Sequence, residues 1–181
     1  MLQIVQEGNP TLRKRAEEIS ADEINSSEIK QLIANMVETL AAERLGAALA
    51  APQVGVSKRL FIVSPDVLEK TSNGKNRKPM ICINPEIKSR SKSHQELHEG
   101  CLSLRGWWGY VPRSEKVTMR AYDEHGKEFE RGASGLLAQI FQHEIDHLNG
   151  TLYIDNAQDM HTDSELKRRE EAGIHGKLKK N

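Results

Sequence analysis

His143 and His147 stand four residues apart, with Glu144 directly after the first, in the run Gln142-His143-Glu144-Ile145-Asp146-His147-Leu148-Asn149-Gly150. On an α-helix, positions i and i+4 share one face, one turn apart, so two imidazoles spaced this way can hold one divalent metal from the same side. A carboxylate placed as Glu144 is can then take a proton from water beside that metal. The bland alternative is a buried helix with two hydrogen-bonded histidines. The paired spacing and the adjoining glutamate weigh against it. Cys101 lies in Glu99-Gly100-Cys101-Leu102-Ser103, beside a glycine that leaves it accessible. It reads either as a structural thiol in a turn or as a reactive or ligating one. With the two histidines it completes a ligand set that a borderline divalent cation favours. Gln53 is the one long polar side chain in Gly46-Ala47-Ala48-Leu49-Ala50-Ala51-Pro52-Gln53-Val54-Gly55. Small residues there let a backbone or ligand approach closely, and the Gln53 amide could donate to a substrate oxygen.

Other candidates carry less. His94 and His98 repeat the four-residue spacing, but in polar surroundings without helical periodicity. Cys82 sits within the apolar run Met80-Ile81-Cys82-Ile83 and reads as a buried, inert thiol. Trp107, Trp108 and Tyr110 read as core or rim bulk.

The metal motif needs a helix, and its flanks predict one. Ser134 is a plausible N-cap, Leu136, Leu137, Ile140 and Phe141 give an apolar face, and Gly150 can close the C-terminus. Leu136, Ile140, His143 and His147 share one stripe, which should point inward. Ser27 to Leu45 is the clearest amphipathic helix, capped by Ser26 or Ser27 and ended by Gly46. A short helix is expected from Pro10 to Ala16. Strands are expected over Arg59–Val63, Met80–Asn84 (ended by Pro85), around Ile87–Ser91 and over Lys116–Tyr122. Asp123-Glu124-His125-Gly126 reads as a hairpin turn into a strand through Phe129. Lys70 to Lys78, with Asn73-Gly74, reads as a turn or mobile loop.

Length and composition bound the rest. The 181 residues suit one domain of mixed α and β elements. Residues 1–160 read as a single catalytic domain, and 161–181 as a charged tail, frayed helix or disordered. Lys+Arg and Asp+Glu both number 26, so no net field favours DNA or an anionic membrane. No apolar run approaches spanning length. Met1 to Glu7 lacks a basic-then-apolar pattern, so a cytoplasmic site is expected, with the two cysteines kept as thiols.

Gly-x-x-Leu-Ala-Ala-x-Gln, Glu-Gly-Cys-Leu-Ser and Gln-His-Glu-x-Asp-His, in that order, resemble the three signature motifs of peptide deformylases. Val111-Pro112-Arg113, Gly135-Leu136-Leu137-Ala138 and Gly150-Thr151-Leu152-Tyr153 agree as well. The resemblance implies an α+β fold with antiparallel sheets surrounding the metal-site helix. It implies removal of the N-formyl group from formyl-methionine on nascent chains, with release of formate. Cys101, His143 and His147 would hold one divalent metal, with Fe²⁺ implied by the family and Zn²⁺, Ni²⁺ or Co²⁺ equally suited to the ligands. Glu144 would be the acid–base group, and the Gln53 amide and Leu102 N–H would face the developing oxyanion. Glu99 and Asp146 would orient ligands and loops. Gly46, Ala48 and Gly100 would border the substrate backbone, and Leu97, Leu136 and Ile140 the methionine side chain. Four residues depart from the family pattern: Ala48, where glycine is usual, Arg105, Trp108 and Gln139. Two other readings stay open, a metallopeptidase and a non-catalytic binder of peptide N-termini. The basic tail is a candidate for transient ribosome contact.

Overall fold

Alternation of side chains along three adjacent strands decides how this chain is layered. β1 (Ala48–Ala50), β2 (Leu60–Val63) and β3 (Met80–Arg90) pair antiparallel, with Ala48 opposite Val63, Ala50 opposite Phe61, and Phe61 opposite Cys82. Successive residues of a strand face opposite sides of the sheet. Ala48, Ala50, Phe61, Val63 and Cys82 therefore enter one core, and Leu49, Leu60, Ile62, Ile81 and Ile83 another. Both faces are covered, which is why these strands read as continuous apolar runs.

The computed structural model describes residues 1–71 and 78–173. Two short helical pieces precede the sheet, a 3₁₀ turn at Pro10–Arg13 and α1 (Ala21–Ile24), followed by α2 (Ser27–Ala42). Ser26 caps α2 by accepting the Ile29 N–H at 3.2 Å. Ile29, Met36 and Leu40 of α2 cover one face of the sheet. A 3₁₀ turn, Ala51–Val54, carries Gln53 out of β1. α3 (Pro65–Thr71) follows β2. β4 (His94–Cys101) and β5 (Leu104–Ser114) form a long hairpin, and β6 (Lys116–Tyr122) and β7 (Glu128–Ser134) another. α4 (Gly135–Leu148) carries the metal motif. β8 (Gln158–Thr162) and α5 (Asp163–Glu171) complete the described chain. The larger sheet runs β1-β2-β3-β6-β7 and the smaller β4-β5-β8, all antiparallel. The α+β expectation holds.

α4 packs Leu137, Ala138, Phe141, Ile145 and Leu148 against Phe61, Val63, Val117 and Met119 of the large sheet. Phe61 and Phe141 meet with ring centroids 6.2 Å apart. Full burial of each such side chain is worth roughly 1.5–3 kcal/mol, which makes this contact the anchor of the helix. Gln142 ties the opposite flank of the helix to β5, accepting the Ser114 N–H at 3.0 Å and donating to the Ser114 carbonyl at 3.0 Å.

Several elements depart from the sequence expectation. β3 runs through Pro85 to Arg90, because Asn84 (φ 48°) and Pro85 fall at a register shift between Ile83 and Glu86. A bulge tolerates a proline that a regular ladder would not. Asn84 is held there by bonds with the Ile19 N–H at 2.9 Å and carbonyl at 2.7 Å. The helix expected at Pro10 to Ala16 is only the 3₁₀ turn, and α2 ends at Ala42. α3 occupies the start of the expected loop, whose residues 72–77 lie outside the described residues. Ser134 flanks α4 but makes no side-chain cap. Gly150 does close it, at φ +77°, with its N–H on the His147 carbonyl at 3.1 Å. A Cβ at Gly150 would lie 2.6 Å from the Arg13 carbonyl oxygen, so the close approach also demands glycine.

The boundary expected at residue 160 falls inside β8, whose Trp108↔His161 and Trp107↔Thr162 pairs join it to β5. Polar bonds hold this segment, which apolar periodicity does not reveal. Trp108 donates through Nε1 to Asp163, and Arg169 pairs with both Asp159 oxygens at 2.9 and 3.0 Å. Residues 174–181, the rest of the expected tail, lie outside the described residues.

Candidate active site

α4 presents His143, Glu144 and His147, and the turn that ends β4 brings Cys101 to them. Cys101 Sγ lies 3.2 Å from His147 Nε2, and the ligand atoms of Cys101, His143 and His147 all lie within 4.8 Å of one another. The two imidazole centroids are 4.9 Å apart at 78°. His143 is oriented from behind, its Nδ1 bonded to Glu99 Oε2 at 2.9 Å, which leaves Nε2 to face the cluster. Arg113 donates to both Glu99 oxygens, at 2.8 and 2.9 Å, and through Nη1 to Asp146. A guanidinium fork of this kind fixes two carboxylates at once. Glu99 thus steadies the His143 ring and is tied to Asp146 through Arg113, whose part the sequence did not disclose. Its only trace there was the Val-Pro-Arg run.

The charges favour ligation. Burial alone would raise the Cys101 thiol, but the charge and hydrogen bonds of His147 and His143 hold it well below its ordinary value. The thiolate is the form that binds a metal. Burial opposes a charged His143, and its bonds to Cys101 and Glu99 raise it well above the usual imidazole range. Glu144 is pushed up to about 7, by burial first, with the histidine charges pulling the other way. Among the described residues, Glu144 Oε2 and His147 Nδ1 are the buried side-chain polar atoms without a partner. One thiolate and two imidazoles, beside a carboxylate oxygen left open, fit a catalytic divalent cation with a vacant position for water.

Glu99 keeps a low pKa despite its burial, which by itself raises it. The bonds and charges of Arg113 and His143 outweigh that and bring it to about 2, from 4.5. A depressed folded-state pKa stabilises the fold above the unfolded value and ceases to do so as pH falls through the folded one. In metal-free protein, the stability gap between the parent and Glu99→Gln should therefore be fully open above pH 4.5 and close toward pH 2. Urea unfolding at a series of pH values checks this. A gap independent of pH would remove the Glu99 charge from the network.

Cys101 and His143 of the cluster line a cavity of about 480 Å³. Of the expected site residues, Ala48, Gln53, Glu99, Gly100, Cys101 and Leu102 line it from one side. Leu136, Ile140, His143 and Glu144 line it from α4. Ile140 is buried, whereas Leu136 is 47% exposed, so the stripe begins at the cavity mouth and not in the core. Three expected residues stand outside the lining: His147, which is buried behind it, Leu97 and Gly46. Leu97, paired with Val111, precedes the His98–Leu102 stretch that borders the cavity. Gly46 packs on α2, where a Cβ would lie 2.7 Å from Leu40 Cδ1. Gly100 is required by the Trp108 ring, 2.8 Å from the place of a Cβ. Three of the four unusual residues are tied in place by side-chain bonds. Gln139 donates to the His98 carbonyl at 3.0 Å, Arg105 makes a two-point pair with Glu43, and Trp108 bonds Asp163. His94 and His98 lie on β4; His98 meets His161, Nε2 to Nε2, at 2.9 Å. Cys82 is fully buried, and both cysteines are free.

A family model for polypeptide deformylase matches residues 1–163, which takes in the cluster and both sheets. The chain belongs to the polypeptide deformylase family. The peptide deformylase of Thermomicrobium roseum is 44% identical over 161 residues, covering 88% of this chain and 87% of that protein. That of Leptospira biflexa is 40% identical over 153 residues, with 84% and 85% covered. Among solved structures, the Legionella pneumophila peptide deformylase superposes with a TM-score of 0.77 at 38% identity, over 87% of this chain and 86% of that one. The Thermotoga maritima enzyme gives 0.76 at 35%, over 87% and 98%. The deformylase fold is thus shared over nearly all described residues. As a deformylase, this chain is a metal-dependent hydrolase of the N-formyl group on newly made proteins. Among the described residues, no helix is long and apolar enough to cross a membrane.

Proposed function

We propose that Cys101, His143 and His147 hold the divalent cation of a deformylation site, with Glu144 as its acid–base group. The observation that carries this is the junction of a β4 thiolate with two α4 imidazoles under an open Glu144 oxygen. Held by Cys101, His143 and His147, the cation, Fe²⁺ in the cell, would supply Lewis acidity, lowering the pKa of water and drawing charge from the formyl oxygen. Glu144 takes the proton of the attacking water and returns it to the leaving amine nitrogen, so the C–N bond breaks to formate and a free N-terminus. The Gln53 amide is aimed by its own Oε1, which accepts the Ala50 N–H at 2.9 Å. Its Nε2, with the Leu102 N–H, stabilises the charge that develops on the formyl oxygen. Leu136 and Ile140 border the methionine side chain, and the short Ala48 side chain leaves room for the formyl end. Nascent formyl-methionyl chains in the cytoplasm are the substrates. Formate release from a formyl-Met peptide, measured anaerobically with metal analysis of the same sample, tests the reading. Cleavage of internal peptide bonds, or no formate from metal-loaded protein, would overturn it.

Ala48 tests the placement of the substrate. It is buried, pairs with Val63 and borders the cavity. Extra methyl groups would crowd the formyl end or displace it, and small displacements of a reacting carbon are costly in rate. Ala48→Val should raise KM or abolish turnover with the metal retained. Ala48→Gly should gain no more than ~10-fold in kcat/KM. Parent-rate turnover by Ala48→Val would move the substrate away from β1.

A further inference from the structure

Three hydrogen bonds join residues 5–7 to the two segments that hold the proposed oxyanion donors. The Val5 N–H donates to the Gln53 carbonyl at 2.9 Å, Gln6 Nε2 to the Leu102 carbonyl at 3.0 Å, and the Glu7 N–H to the Ser103 carbonyl at 2.7 Å. On the far side, the same two segments point donors at the thiolate. Gln53 Nε2 lies 3.4 Å from Cys101 Sγ and 3.3 Å from Ser103 Oγ, and the Ser103 N–H donates to Cys101 Sγ at 3.4 Å. The Leu102–Ser103 peptide plane is therefore gripped at both ends, its oxygen by Gln6 and its N–H by the sulfur. A peptide unit is rigid, so fixing the Leu102 oxygen fixes the direction of the Ser103 N–H, and the Leu102 N–H, in the adjoining unit, is restrained through the backbone torsions of Leu102.

We propose that Gln6 is a positioning residue, holding the Cys101–Leu104 turn so that its N–H groups point at the thiolate and at the formyl oxygen. It touches neither substrate nor metal. In the tight turn, where Cys101 pairs with Leu104, Gln6 is the side chain that holds the Leu102 carbonyl. Gln6 itself is exposed, so its replacement leaves both cores intact. The inference rests on the oxyanion roles given above to Gln53 and Leu102.

Gln6→Ala should lower kcat about fivefold, the worth of one hydrogen bond in an exposed place, with KM and metal content unchanged. Gln6→Lys, which keeps a donor at similar reach, should restore most of the rate, and Gln6→Glu, which sets a carboxylate against the carbonyl, should not. A readout independent of turnover is the thiolate-to-metal charge-transfer band of cobalt-loaded protein. Weaker N–H donation leaves the sulfur richer in electrons, so Gln6→Ala should move the band to lower energy, and Gln6→Lys should return it. Gln53→Ala separates the two ideas. A large loss of kcat in Gln53→Ala with no change of rate or spectrum in Gln6→Ala would overturn the positioning role alone. An unaffected Gln53→Ala would overturn the oxyanion reading beneath it.

Discussion

Glu144→Gln is expected to retain its metal and lose at least ~10²-fold in kcat, the usual contribution of a positioned acid–base group. The side chain is buried, borders the cavity, and has one oxygen without a partner, so it is available to a water or an amine and to little else. Burial places its carboxyl at about 7. A group near the working pH can both accept and return a proton. Glutamine keeps the shape and removes that capacity. It also leaves Cys101, His143 and His147 in place, since Glu144 is not among the three clustered ligands. Metal analysis beside single-turnover kinetics checks the two halves together. Near-normal turnover with metal bound would remove Glu144 from the mechanism.

Cys101→Ala, His143→Ala and His147→Ala should each lose tightly bound metal and, with it, activity. Three protein ligands are the minimum of a catalytic site that keeps one position open. Removing one leaves two, and the cation then competes with solvent. The three variants should differ in their effect on the fold. His147 is almost wholly buried in α4, with Nδ1 unpartnered, so its truncation leaves a cavity in the helix interface. Cys101 stands at the end of β4 and is less enclosed, so Cys101→Ala should fold nearly as the parent does. His143→Ala removes a donor from Glu99, though Arg113 still satisfies both of its oxygens. Equilibrium dialysis against the metal and thermal unfolding of the metal-free proteins distinguish these outcomes. Full metal content in Cys101→Ala would show that the cluster is not the site.

The two paired histidines, the glutamate between them and the cysteine far upstream were legible because their chemistry depends on residue type and local spacing. His143 and His147 fall on one face of α4 by helix geometry alone. The amphipathic α2 and strand β6 were legible for the same reason, since a repeating apolar pattern names its own period. Tertiary structure alone decided what surrounds them. Arg113 forks between Glu99 and Asp146 only because β4, β5 and α4 converge, and no local pattern records that meeting. β3 continues through Pro85 because Ile19, 65 residues away, supplies the partners that hold Asn84 in a left-handed conformation. β8 and α5 are held by Trp108, Asp163, Asp159 and Arg169, polar contacts without an apolar period. Leu97 and Gly46, placed at the cavity by motif position, stand beside it, because a motif fixes the order of residues and not which side of a strand or turn meets the space. Sequence names the atoms that react; the long-range pairing of sheets and helix sets the distances and burial that give those atoms their protonation states.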